Sequence, residues 1–163
     1  MNMKMPLVLF TKLLHKLTIE ELIQLAHRSG IEGYDLCCRP RHLVNPDNVT
    51  TALPKAAKQL WSAGLVLPML TSVGDLLEPT HPTAEPILGA MQETGVGLLK
   101  IGYFQIDNMR ENYWDKVSYI RAQFEGWSKL GEKFGVRICF HTHSPASFMG
   151  INSAAVMHLV NGF

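Results

Sequence analysis

Nowhere does the sequence approach the roughly 18 consecutive apolar residues of a membrane-crossing helix. The opening MNMKMPLVLF has one lysine and a brief apolar run that Thr11 and Lys12 interrupt, too short for a secretory signal. A soluble, cytoplasmic protein with no membrane partner is expected. Cysteine is scarce: Cys37, Cys38 and Cys139 are an odd number in strand-like contexts, which excludes a disulfide framework and points to a reducing compartment. No charge predominates. Fifteen basic and fourteen acidic residues give a formal charge of +1 with no basic stripe, so nucleic acid is not an expected partner, although a phosphate-bearing small molecule stays open. Glycine-rich nucleotide signatures are also missing, because Gly95-Val96-Gly97 precedes a strand instead of following one. Ser144 follows a histidine without a nucleophile elbow. Low-complexity segments and linkers are absent from the sequence.

The sequence contains 47% hydrophobic and 18% charged residues, the composition of a well-buried globular α/β chain. Its 163 residues fit one domain. Compact apolar runs predict strands at Leu7–Phe10, Glu32–Cys37, Leu65–Leu70, Leu98–Gly102 and Arg137–His141. Helical patterns lie between them. Thr18 with Glu21 three residues later reads as a capping box, and Gly30 stops the helix that follows. A second helix follows the Asn45-Pro46-Asp47 turn and ends at Gly64. A third runs over about 83–93, a long amphipathic one over about 113–134 to Gly135, and a short one over 153–160 after a Ser/Pro/Gly loop. Strand and helix alternate every 30 to 40 residues or so with no hairpin signal, as in parallel βαβ units.

Folds of this kind gather their chemistry at the carboxyl ends of the strands. Those ends carry Thr11 and Lys12, then Asp35 and Arg39, Thr71 and Ser72, Lys100 with Tyr103, and His141 with His143. Alternation places Cys139, His141 and His143 on one face of the last strand, and Asp35, Cys37 and Arg39 on one face of the second. In the fourth strand it sets Lys100 and Gly102 opposite Leu99, Ile101 and Tyr103. A polar face in an apolar sheet must be solvated, paired or used. Asp35 can therefore be an ion-pair partner of Arg39 or Lys100, or a working group. Arg39 suits an anionic substrate group or a solvated loop. His141 and His143 are either buried structural histidines or a site. As a metal signal the pair is incomplete, since a tight site needs a third and usually a fourth ligand. Asp75 and Glu78 read as loop residues, and vicinal Cys37 and Cys38 as core packing.

The segments LVLFTKLLHKLTIEELIQLAHRSGIEGYDLCCRP, LVLPMLTS, LLKIGYF and ICFHTHS, in that order, resemble the xylose isomerase-like TIM-barrel family of sugar phosphate isomerases and epimerases. The resemblance extends over nearly the whole chain. It implies a partial (β/α)8 barrel of five parallel βα units, an incomplete domain over 1–163 that lacks strands six to eight. Family members bind a divalent metal and interconvert aldose and ketose, or epimerise a carbon beside a carbonyl. Where many of them carry Glu-Asn-His at the end of strand five, this chain has His141-Thr142-His143.

By that resemblance His141 is a metal ligand, suited to Mn²⁺, Zn²⁺ or Co²⁺ better than to Mg²⁺. Lys100 and His143 are the implied catalytic residues, and Arg39, Asp35 and Tyr103 the implied binders of a sugar or sugar phosphate. Two alternatives stand beside the enzyme: a non-catalytic half barrel that merely binds a ligand, and a zinc phosphodiesterase of the endonuclease-IV type. Five strands leave two open edges, so self-association and an inactive 1–163 chain are expected.

Overall fold

Thr18 opens the first helix. In the computed structural model, which describes residues 5–144 and 147–163, its Oγ1 accepts from the Glu21 N–H at 3.2 Å while Glu21 Oε2 accepts from the Thr18 N–H at 2.8 Å. The anticipated capping box is complete. It starts α1, Ile19–Ser29, and Gly30 ends the helix in the left-handed region at φ 70°, its N–H donating to the Ala26 carbonyl. Part of the N-terminal run (1–4) and of the Ser/Pro/Gly loop (145–146) lies outside the described residues.

Around α1 the elements alternate as expected: β1 Val8–Phe10, β2 Gly33–Cys37, α2 Val49–Ser62, β3 Val66–Thr71, α3 Ala84–Thr94, β4 Leu98–Lys100, α4 Tyr113–Phe134, β5 Arg137–Cys139 and α5 Ser153–Val160. The five strands form one sheet in the order β1-β2-β3-β4-β5, every pair parallel. β1 and β5 each keep one open edge.

The register separates two chemistries. Leu36, Leu70, Leu99 and Ile138 lie in one row across β2 to β5. The three leucines are buried in a core they share with Leu22, Leu53, Leu60, Ile87, Met91 and Ile120 of the helices, and Ile138 packs against it. The next row, Cys37, Thr71, Lys100 and Cys139, faces the other way. Helices therefore cover one face, and the second face carries every polar strand residue of interest.

β4 and β5 each end two residues earlier than their sequences suggest. Beyond Lys100 the backbone leaves the sheet, with the Gly102 N–H donating to Leu76 O at 2.8 Å and the Tyr103 N–H to Gly74 O at 2.9 Å. The loop after β3 thus takes the hydrogen bonds that a longer β4 would have given to a neighbour. Phe104 then accepts from the Met149 N–H and the Ile106 N–H donates to Ser147 O, tying this segment to the chain after β5.

Candidate active site

Thr11 is the first side chain to link the strand ends. Its Oγ1 donates to the Asp35 carbonyl and accepts from the Cys37 N–H at 2.9 Å, so β1 holds the end of β2 from the side. Thr71 at the end of β3 donates its hydroxyl to Asp35 Oδ2 at 2.8 Å. The second carboxylate oxygen, Oδ1, is buried without a hydrogen-bond partner among the described residues, and so is Lys100 Nζ. The ion pair that would have made Asp35 and Lys100 purely structural is not closed.

Their proton affinities follow from this environment. Burial pushes the Asp35 carboxyl up to about 6, against the lowering effects of the Thr71 hydrogen bond, Lys100 and Arg39. Burial, followed by repulsion from Arg39, pushes Lys100 down to about 7, while Asp35 and Cys37 pull it the other way. A carboxyl and an amine that influence one another therefore both titrate near neutrality, as proton transfer at neutral pH requires. Arg39 is fixed beside them by its Nε, which donates to Ser72 O at 3.1 Å. Burial raises the thiols of Cys37 and Cys38, the latter to about 12, so neither is a thiolate at neutral pH.

Tyr103 corrects the expected alternation. Instead of lying opposite Lys100, its ring centroid is 3.3 Å from Lys100 Nζ, because the period of two ends with β4 at Lys100. Tyr103 also meets His143 at 4.1 Å between ring centroids, and both rings pack on Phe148. Lys100, Tyr103 and His143 are thereby gathered into one cluster under an aromatic cover. The His143 Nδ1–H donates to Ser144 O at 2.6 Å, which leaves Nε2 as the acceptor in the neutral ring.

His141 does not join this cluster. It is exposed, its Nδ1–H donating to Thr142 O at 2.5 Å. β5 stops at Cys139, so neither His141 nor His143 belongs to the ladder whose alternation was expected to pair them. No group of three His, Cys, Asp or Glu side chains is placed to hold a metal among the described residues. Two imidazoles are too few for a tight divalent site, so the described donors do not by themselves complete the implied metal site.

Sequence reading placed Thr11 and Thr71 at strand ends but gave neither a role. A β-branched hydroxyl closing a strand beside a carboxylate is the signal for both. Phe148 lies in a loop whose position depends on pairing with Gln105, and carries no such signal. A groove of about 820 Å³ lies away from this chemistry, between α4, β5 and α5.

No family model and no curated protein matches the sequence. Solved structures do match the fold. A D-tagatose 3-epimerase-like protein superposes with a TM-score of 0.69 at 14% identity, covering 98% of this chain and 61% of its own. The 3-keto-D-glucoside 4-epimerase of E. coli gives 0.70 at 12% identity, over 96% of this chain and 64% of its own. D-Psicose 3-epimerase from Clostridium cellulolyticum gives 0.66 at 12% identity, over 96% and 60%. The chain shares the fold of these epimerases over the stretch that it covers. It spans less than two thirds of these neighbours' length, and its five βα units form a half barrel. In this half barrel the row Cys37, Thr71, Lys100 and Cys139 is on the sheet face opposite the helices, and Lys100 closes β4 at the carboxyl end of the strands.

Proposed function

We propose that this half barrel carries part of the active site of a sugar or sugar-phosphate isomerase or epimerase, working by proton abstraction beside a carbonyl. One observation carries the reading: at the strand ends half-buried Asp35 and buried Lys100 keep Oδ1 and Nζ out of solvent and unbonded, with proton affinities near neutrality. Asp35 Oδ1 accepts the proton from carbon, since Thr71 occupies only Oδ2. Lys100 and Arg39 set positive charge beside the enediolate oxygen that develops. His143 offers Nε2 to a substrate hydroxyl, and Tyr103 forms the wall between His143 and Lys100. A divalent ion would need ligands beyond His141 and His143, and no step is assigned to one. The names of the three neighbours given above, two sugar epimerases and an epimerase-like protein, support the substrate class.

The test is exchange of the carbon-bound proton. Ketoses incubated with residues 1–163 in D₂O are expected to take up deuterium beside the carbonyl, read by proton NMR, at about 10² times the buffer rate, the lower end of what a positioned base supplies. Asp35→Asn is expected to return the rate to that of buffer. Net epimerisation by 1–163 is expected to stay undetectable with Mn²⁺, Co²⁺ or Mg²⁺, because a second proton donor is needed on the opposite face of the sugar. Failure of exchange with every ketose and ketose phosphate tried would overturn the reading.

A further inference from the structure

Among the described lysines Lys100 alone is buried, at 4% exposure. A structural lysine in such a place is normally tied to a carboxylate or to carbonyl oxygens, since its three donors have no other outlet. Here Nζ has no hydrogen-bond partner, and its near neighbour is the face of Tyr103. Thr71 occupies one oxygen of Asp35, and Oδ1 stays open. Arg39 is held close enough for its charge to act on both groups. An amine kept from its counter-ion, beside a carboxyl able to give and take a proton, is the arrangement that makes a lysine nucleophilic toward carbonyl carbon.

We propose that Lys100 is a carbonyl-capturing lysine whose Nζ forms an imine with a small aldehyde or ketone, an anionic substituent of which is held by Arg39. The nitrogen lone pair forms a bond to the carbonyl carbon, and the carbonyl π pair moves to oxygen, which takes the proton of the Asp35 carboxylic acid. The nitrogen of the resulting carbinolamine gives a proton back to the Asp35 carboxylate. A second transfer from Asp35 to the hydroxyl lets it leave as water, as the nitrogen lone pair forms the C=N bond. Amine, carbonyl and the Asp35 carboxylic acid thus become protonated imine, water and the Asp35 carboxylate, with no net oxidation. The Tyr103 ring covers Nζ and is itself packed on His143 and Phe148, so a ligand that reaches the amine must displace this ring, which favours small carbonyl compounds over bulky ones.

This goes beyond the isomerase reading and is tested apart from it. The 1–163 chain is incubated with glyoxylate and sodium cyanoborohydride near pH 7.5. The reductant supplies hydride to the imine and fixes it as a secondary amine, which peptide mapping by mass spectrometry then locates. Carboxymethylation is expected on Lys100 roughly tenfold faster than on any exposed lysine, because a buried amine is poorer in the unreactive ammonium form. Lys100→Arg is expected to lose that label while the slower surface labelling persists. Should that variant fail to fold, peptide mapping of the parent chain still separates Lys100 from the exposed lysines. Labelling confined to exposed lysines, or equal on Lys100 and the rest, would overturn the proposal. Ketose exchange without Lys100 labelling would remove this inference alone, and labelling without exchange would remove only the isomerase reading.

Discussion

Replacing Asp35 with Asn and Lys100 with Met together is expected to raise the stability of the fold at pH 6–7, by about 1–4 kcal/mol, the range found when buried charges give way to neutral groups of similar size. The direction follows from the two shifts. Asp35 has its folded affinity raised from 3.8 to about 6, so the folded chain holds more protons than the unfolded one between those values and loses stability as pH rises through them. Lys100 has its affinity lowered from 10.5 to about 7, so the folded chain holds fewer protons across that interval and gains stability as pH rises through it. Both penalties are in full force between about 6 and 7. The parent chain should therefore show a dip in melting temperature near neutrality. The double variant should lack the dip, with its advantage shrinking toward pH 4 and toward pH 10. Thermal melts across pH decide it, and a variant less stable than its parent at pH 6–7 would show that the pair holds the fold together.

Gly102→Ala is expected to destabilise the fold by about 3 kcal/mol, the upper part of the usual range for forcing atoms into a packed site. A Cβ at this position would fall 2.3 Å from the Gly74 carbonyl oxygen and 2.9 Å from Leu77 Cδ2. The backbone cannot withdraw, because the Gly102 N–H is bonded to Leu76 O on one side and the Tyr103 N–H to Gly74 O on the other. Those bonds bring Tyr103 back over Lys100, so the variant should also uncover the amine. Gly97→Ala is the control, since nothing lies within 4 Å of its added Cβ, and its effect should stay within about 0.5 kcal/mol. Urea unfolding of both variants measures the difference, and equal effects would refute the steric argument.

Local signals proved strong wherever the chain makes its own bonds. Thr18 and Glu21 cap α1 through a contact three residues long, and Gly135 ends α4 where its sequence says it should. The parallel sheet was legible from the alternation of strands and helices, whereas its sequential order came only with the resemblance to a barrel, because a doubly wound sheet shows the same alternation. Alternation also brought out the polar row on β2 to β4. It failed past Lys100 and past Cys139, where no ladder remains to impose a period of two. Tyr103 owes its place to hydrogen bonds with the loop after β3, some thirty residues upstream, and His143 lies where its N–H reaches Gly150 O. Long-range bonds of this kind leave no trace in the spacing of nearby residues.

Sequential strand order has a mechanical corollary. The principal contacts run between successive units, α1 with α2, α2 with α3, α3 with α4 and α4 with α5, as the strands do beneath them. Such a stack frays like a pile of plates: an outer strand parts from one neighbour, an inner strand only from two. β1 and β5 are the places where opening begins, taking exposed His141 with the latter. Asp35, Thr71 and Lys100 ride on β2, β3 and β4, so these three charged and hydroxyl groups belong to the last portion of the sheet to come apart.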